Sequence, residues 1–362
     1  MAMESTVDYY DRAKDVKEFD ESKTGVKGLV DSGITAIPRI FIHPPENLIG
    51  LRSPHPGAIQ IPTVDLSDFN ANPDRSHIVQ QIRDAAGEFG FFQIVNHGIP
   101  IPIMDGTLSA VKSFHELPTE KKKPHYDRSR QGGVFYITNL DLLRSKAATW
   151  ADTLGIEIAP VPPEWERVPA TCRSELMEWS MQTKKLAGVL AELLCEGLGF
   201  HQDRLKELKC LESRVMAAHI YPPCPQPDLT LGTHSHTDPL LLTILLQNEL
   251  EGLQVKIGEE WVTVKPIHGG LVVNIGDILQ IMSNGLYKSV QHRVAANPHK
   301  KPRISVAAFF GPTEKGNSLC YGPLPELLSG EKSAFYRSFT MTEFITLFYN
   351  KELCALKNNF KL

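Results

Sequence analysis

The sequence has no apolar stretch approaching the roughly 18 residues that a membrane-spanning helix needs. Its first residues, Met1-Ala2-Met3-Glu4-Ser5, have neither the basic cluster nor the apolar core of a secretory signal. It has no surplus of positive charge. Lys+Arg number 38 against 42 for Asp+Glu, the formal net charge is −4, and no long basic run offers a nucleic-acid surface. Cysteine is scarce: six residues, at 172, 195, 210, 224, 320 and 354, with no Cys-x-x-Cys pair. That spread argues against a thiolate zinc cluster or a disulfide framework and suits reduced thiols in the cytosol. The terminal Phe360-Lys361-Leu362 ends like a peroxisomal signal but lacks its small first residue. No internal repeat or low-complexity tract is present. What remains is a chain of 362 residues, 42% hydrophobic and 22% charged, large enough for two packed sub-domains. A cytoplasmic monomer acting on a small molecule is expected, with neither nucleic acid nor membrane as partner.

What is present centres on Thr233-His234-Ser235-His236-Thr237-Asp238, set between Tyr221-Pro222-Pro223-Cys224-Pro225 and the apolar run Leu240 to Leu246. In an extended segment alternate side chains share a face, so His236 and Asp238 point the same way, about 7 Å apart along the backbone. One imidazole and one carboxylate make two legs of a facial metal triad. His292 is the candidate for the third, on a segment where Val290, His292 and Val294 share a face opposite Gln291 and Arg293. Two His and one carboxylate leave open positions on the metal, the arrangement of non-haem Fe(II) oxygenases. Zinc accepts the same donors in hydrolases, and a binding-only β-barrel with a relic site is a further alternative. Arg303 follows His292 by eleven residues (303 − 292) and shares a strand face with Ser305, Ala307 and Phe309. A guanidinium fork beside a hydroxyl is a natural grip for a carboxylate, and Tyr221 offers a third donor. That grip has no task in a zinc hydrolase.

Along the chain, residues 1–58 read as an extension. Tyr9 to Glu21 is expected as a surface helix, Thr24 to Val30 and Pro38 to Ile42 as a clip on the main body, and Ser53-Pro54-His55-Pro56-Gly57 as a loop. Residues 59–210 read as an α/β region. Ile61 to Leu66 is a strand, and Asp74 or Ser76 caps a helix carrying Ile78, Ile82, Ala85, Ala86 and Phe89. Phe91 to Val95 is a strand ending in Asn96-His97-Gly98, where His97 is expected to be structural. A second helix runs from Ile103 to Glu116, and Lys121-Lys122-Lys123 reads as a solvated run. Gln131 to Leu154 shows no clean period, so Phe135, Tyr136 and Asn139 are assigned to a loop lining a pocket. A long amphipathic helix spans Arg173 to Gly199, and a shorter one Asp203 to Cys210. From 211 to 315 short strand-like segments alternate with turns, which points to a closed or sandwiched β unit holding the metal. In 316–362 the chain returns to helix, with Phe344 and Phe348 expected to close over the opening.

Joined in order, Asn96-His97-Gly98, Tyr221-Pro-Pro-Cys-Pro-Gln-Pro227, His236-x-Asp238, Val273-Asn274-Ile275-Gly276-Asp277, Gln291-His292-Arg293 and Arg303-Ile304-Ser305 resemble the plant 2-oxoglutarate- and Fe(II)-dependent dioxygenases over nearly the whole chain. The extension, with Gly25-Val26-Lys27-Gly28-Leu29 and Ile37-Pro38, looks most like the specialised-metabolism branch, which contains the aminocyclopropane-carboxylate-oxidase homologues and deacetoxyvindoline 4-hydroxylase. The resemblance implies a mainly β fold with flanking helices: a distorted double-stranded β-helix, or jelly roll, with a helical N-terminal region and a C-terminal helix. It implies iron on His236, Asp238 and His292, with 2-oxoglutarate held at its far carboxylate by Arg303, Ser305 and Tyr221. It also implies O₂ as oxidant, ascorbate as stimulant, and oxidation of a small plant metabolite coupled to release of succinate and CO₂. The alternative within the class is an ascorbate-dependent aminocyclopropane-carboxylate oxidase. Two positions depart from the pattern. His219 stands where the family usually has Asn and is expected to contact the co-substrate carboxylate, the alternative being that it alters the iron; His234 is expected at a solvent rim.

Overall fold

The computed structural model describes residues 10–51, 59–67, 74–314, 318–329, 333–350 and 356–362. Four strands come from the first half: β1 (Thr63–Asp65), β2 (Phe91–Val95), β3 (Val134–Thr138) and β4 (Asp152–Ala159). Of those that follow, eight join them: β5 (Ser213–Tyr221), β6 (Leu231–His236), β7 (Leu242–Gln247), β8 (Leu253–Ile257), β9 (Glu260–Thr263), β10 (Leu271–Ile275), β11 (His292–Ala295) and β12 (Arg303–Gly311). They form an eight-stranded sheet in the order β1-β2-β10-β7-β12-β5-β4-β3 and a four-stranded sheet in the order β6-β11-β8-β9. This is the expected double-stranded β-helix, with its two sheets left open at the edges instead of closing into a barrel.

Alternation explains what each face of the large sheet does. Leu154, Met216, Ala218, Leu246, Val306 and Phe310 point outward into the main apolar core, with residues of the helices Ile101–His115 and Arg173–Gly197. The inner face meets the small sheet through Phe91, Tyr221 and Val272 on one side and Leu253, Val255 and Val294 on the other. The long helix repeats Leu176, Trp179, Leu186, Leu190, Leu193 and Leu194 on its buried stripe, as its periodicity predicts.

Several expectations are corrected. The stretch 131–154 is not one long loop: β3 and the start of β4 occupy its two ends. Its residues alternate too weakly in polarity to show the period, because both faces of β3 are buried. Tyr136 consequently leaves the pocket. Its ring packs outward, edge-on to Phe114 at 5.2 Å. Lys122 is 1% exposed, its ammonium donating to the His115 carbonyl at 2.7 Å, so the lysine run is not wholly solvated. Gly276-Asp277 does not close a simple turn but opens a short helix, Asp277–Met282. Ser76 lies within the helix Asp74–Glu88 and does not cap it. Ser53 to Gly57 and the Asp74 side chain lie outside the described residues.

The N-terminal clip is helical, Gly25–Asp31. It is fastened by the buried carboxylate of Asp152, which accepts from the backbone N–H groups of Val26 and Lys27, both at 2.8 Å. Gly25 has φ +67, and a Cβ there would stand 2.7 Å from Asp152 Oδ2, so only glycine fits at both counts.

Candidate active site

His236 ends β6 and His292 begins β11, and the two are register partners in the small sheet, their rings 4.2 Å apart. Asp238 follows in the connection to β7. Its Oδ1 lies 3.6 Å from His236 Nε2 and 3.7 Å from His292 Nε2. Among the described residues these three are the group of His, Cys, Asp or Glu whose ligand atoms converge, all within 4.8 Å of one another.

Each donor is turned by a partner. His236 Nδ1 bonds the His234 carbonyl at 2.8 Å, which makes Nδ1 the protonated nitrogen and leaves the Nε2 lone pair facing Asp238. His292 Nδ1 makes a longer contact of the same kind, 3.5 Å, with the Val290 carbonyl. Asp238 Oδ2 accepts from Thr243 Oγ1 at 2.5 Å and from Asn274 Nδ2 at 2.7 Å, so Oδ1 is the free ligand atom. Second partners of this sort orient ligands in metal proteins. Burial raises the Asp238 carboxyl, but the neighbouring His292 and His236 outweigh it and hold it well below the usual range. Burial, then the charge of His236, brings His292 down to about 4. Burial lowers His236, but its contact with the Asp238 carboxylate outweighs that and raises its pKa. An ionised carboxylate facing two imidazole Nε2 atoms is a donor set that fits a divalent cation, which takes the place of the proton Asp238 favours on His236.

The inner face of the large sheet carries the rest. Register aligns Arg303 with Tyr221, Ser305 with His219, Ala307 with Ala217 and Phe309 with Val215. Arg303 is 1% exposed. Its Nη2 donates to Gln247 Oε1 at 2.8 Å, while Nε and Nη1 are buried without a partner. A buried guanidinium with two unused donors is costly unless an anion completes it. Its Cζ sits 4.9 Å from the centre of the Tyr221 ring, whose hydroxyl lies 3.3 Å from Thr233 Oγ1. Ser305 is buried beside it. His219 Nδ1 lies 2.9 Å from Thr153 Oγ1, and burial followed by the charges of Arg303 and His236 lowers its pKa to about 4. The residues fit a metal at one end and a carboxylate at the other.

Phe309 pairs with Thr243, the residue that holds Asp238, and is only partly buried. Phe135 is also on the inner face: register sets it opposite Gly155, where a Cβ would stand 1.9 Å from the ring. Gly155, Ala217 and Ala307 lie side by side across the sheet and leave a shallow floor. Phe135 also lines a cavity of about 480 Å³ with Ile137, Leu140, Leu143 and Phe348, together with Asp141, Arg128, Arg130 and Arg144. Asp141, one of its lining residues, has Oδ2 3.9 Å from His234 Nε2. His234 is partly buried, its ring 4.9 Å from that of His43 in the extension. Phe344 is not at the opening. It is 0% exposed and packs on Phe339 and Phe360. His97 has the structural place expected of it, its Nε2 at 3.1 Å from the Gly269 carbonyl.

The sequence assigns no role to Thr243, Asn274 or Gln247. Thr243 carries the lone hydroxyl in the run Leu240 to Leu246, and a polar residue in an otherwise apolar buried strand is the signal that finds it.

The chain matches the 2OG-Fe(II) oxygenase superfamily over residues 211–312 and the family described as non-haem dioxygenase in morphine synthesis N-terminal over residues 61–172. It is 46% identical over 342 residues to 1-aminocyclopropane-1-carboxylate oxidase homolog 1 of Arabidopsis thaliana, covering 94% of this chain and 93% of that one. Homolog 4 of the same plant is 45% identical over 362 residues, 99% of this chain and all of its own (100%). Among solved structures, JOX2 in complex with 2OG, Fe, and JA superposes with a TM-score of 0.81 at 29% identity, over 93% of this chain and 97% of that one. With likeness of this extent across both halves, the chain belongs to the 2OG-Fe(II) oxygenases and is a 2-oxoglutarate- and Fe(II)-dependent dioxygenase.

Proposed function

We propose that His236 Nε2, Asp238 Oδ1 and His292 Nε2 hold the iron, and that Arg303, with Ser305, Tyr221 and His219 around it, holds the far carboxylate of 2-oxoglutarate. The two unused, buried donors of Arg303 are the observation that carries this reading. Bound there, iron and 2-oxoglutarate supply the oxygen activation and oxidative decarboxylation, to succinate and CO₂, that no side chain provides. The protein's own part is placement. Thr243 and Asn274 keep Asp238 ionised with one oxygen forward. The His234 carbonyl keeps His236 in the tautomer that presents Nε2. Gln247 fixes the plane of the Arg303 guanidinium, and the apolar contacts between the sheets exclude water.

The substrate is a small specialised metabolite with an apolar body. A cavity of about 480 Å³ is of small-molecule size. Phe135, Ile137, Leu140, Leu143 and Phe348 suit an apolar skeleton. Phe309, beside the support of Asp238, borders the reacting position. Hydroxylation, demethylation, desaturation and ring closure are all outcomes open to such a site. Ascorbate stimulates turnover, and the enzyme works as a cytosolic monomer; the buried, unpaired thiols of Cys172, Cys195, Cys210 and Cys224 suit a reducing compartment. Among the described residues no helix is long and apolar enough to cross a membrane.

Anaerobic titration tests the site. Apoprotein given Fe(II) and then 2-oxoglutarate develops a weak visible metal-to-ligand band if the co-substrate chelates iron as proposed. Absence of the band with 2-oxoglutarate, together with turnover on ascorbate alone, overturns the reading in favour of aminocyclopropane-carboxylate oxidase chemistry. Succinate release over a panel of plant metabolites then identifies the substrate.

A further inference from the structure

The carboxylate of Asp277 is not among the converging ligands, yet it is 0% exposed and touches both segments that carry them. Its Oδ2 accepts from Thr237 Oγ1 at 3.0 Å, and Thr237 lies between His236 and Asp238. Its Oδ1 accepts from Ser289 Oγ at 2.7 Å, three residues before His292. Its backbone N–H donates to the Asp238 carbonyl at 2.8 Å. One residue therefore ties the 236–238 loop to the lead-in of β11 from behind.

Its countercharge comes from the far end of the chain. Lys357 belongs to the short C-terminal helix Leu356–Phe360. The Lys357 Nζ stands 3.3 Å from Asp277 Oδ1 and also donates to the Ser289 carbonyl. The Lys357 backbone N–H donates to Asp277 Oδ2 at 3.2 Å. The helix is pinned in turn by Phe360, whose ring packs on Phe339 at 4.7 Å, and by the Arg337 N–H on the Phe360 carbonyl at 2.8 Å.

A buried ion pair is a poor route to stability, since apolar residues of the same volume usually serve as well. It is a good way to hold two segments at one separation. Such a device is needed here, because the pairing of β6 with β11 shifts register immediately after His292. A bulged ladder does not by itself fix how far His292 stands from the loop bearing Asp238.

We propose that Asp277, with Lys357 as its countercharge, is a positioning residue for the iron site, and that the C-terminal segment 356–362 is thereby part of that site. The proposal rests on the assignment of His236, Asp238 and His292 as iron ligands. Its action is through Thr237 and Ser289 on the ligand backbone, with no contact to the metal.

The test is titration of full-length apoprotein with Co(II), read from the visible ligand-field bands, with a thermal melt of each variant. His292→Ala checks the underlying assignment: retention of full Co(II) affinity removes it, and the present inference with it. With that control weakened as expected, Lys357→Met and Asp277→Asn lower Co(II) affinity by about tenfold to a hundredfold, the usual cost of losing an outer partner. Thr237→Val and Ser289→Ala lower it by smaller factors and alter the band shape; they also decide the case if the Asp277 variant does not fold. Lys357→Arg keeps the charge and restores affinity. Asp152→Asn, which changes a buried carboxylate bonded to Val26 and Lys27 and not to either ligand segment, lowers the melting midpoint and leaves Co(II) affinity unchanged. Wild-type affinity and spectra in Lys357→Met, Thr237→Val and Ser289→Ala, with His292→Ala impaired, overturn the inference alone.

Discussion

The two faces of the large sheet are made by the same strands and differ in almost every physical respect. On β12, Ile304, Val306, Ala308 and Phe310 face the helices and lie in one apolar core. Between them Arg303, Ser305, Ala307 and Phe309 face the small sheet, and there the chain tolerates a buried guanidinium with unused donors. β5 repeats the pattern, with Met216, Ala218 and Ile220 outward and Ala217, His219 and Tyr221 inward. The outer face is packed for stability, the inner face for placement of polar groups and for space. Strand alternation makes this division of labour possible, because one residue's shift in sequence moves a side chain from one task to the other.

Substitutions on the two faces should therefore have opposite signatures. The largest effect is expected from Asp238→Ala, which removes one ligand and unseats the Thr243 and Asn274 bonds. Turnover should fall by three decades or more, on the order of the ~4 kcal/mol that such a loss represents, while circular dichroism stays native. Full product formation by that variant refutes the triad. On the outer face Phe310→Ala should cost about 3–5 kcal/mol of unfolding free energy, with activity per folded molecule preserved. Its inner neighbour sharpens the contrast: Phe309→Ala should leave the melting midpoint close to wild type and change KM or the product profile. If Phe309→Ala instead melts the protein without altering regiochemistry, the inner face is packed as the outer one is and the comparison fails.

Smaller again is the expected effect of Arg303→Ala. Loss of a charge-assisted contact is worth about 1.5–3 kcal/mol, so 2-oxoglutarate affinity should drop by about one to two decades. The KM of the primary substrate should move far less, and an unchanged 2-oxoglutarate KM would make the arginine structural.

The broadest effect is on pH dependence, and it draws on three buried histidines. Burial holds His43 and His219 down to about 4 and His115 to about 3, against 6.5 for an exposed imidazole. Between those values the unfolded chain binds protons that the folded chain does not, so stability rises with pH across that window. It is fully present above 6.5 and is lost as pH falls through the folded values. Each unit of separation is worth about 1.4 kcal/mol per group. Chemical denaturation at stepped pH should show this slope, and His115→Gln should flatten it; an unchanged slope in that variant assigns the proton uptake elsewhere.

Much of the molecule was legible in the chain. The convergence of His236, Asp238 and His292 was legible because a facial triad needs two imidazoles and a carboxylate, few residue types serve, and strand alternation relates His236 to Asp238 directly. Arg303 and Ser305 were legible for the same reason. The long helix declared itself by period, since an amphipathic stripe needs one polar face. β3 did not, because a strand buried on both faces has no alternation to read, and Tyr136 was consequently turned the wrong way. Phe344 was misassigned because an aromatic on an amphipathic helix looks the same whether the helix covers an opening or a core.

The sequence by itself determined which atoms are available for chemistry, because donor type and strand parity are local properties. Tertiary structure alone decided how those atoms are held. Thr243, Asn274 and Gln247 acquire their roles from strands that pair across the sheet. Asp152 fastens a helix 126 residues earlier in the chain, and Asp277 meets Lys357 at a separation of 80 residues. Contacts of that range leave no periodic trace, since the entropy of closing such loops is offset by the whole fold and by no local pattern.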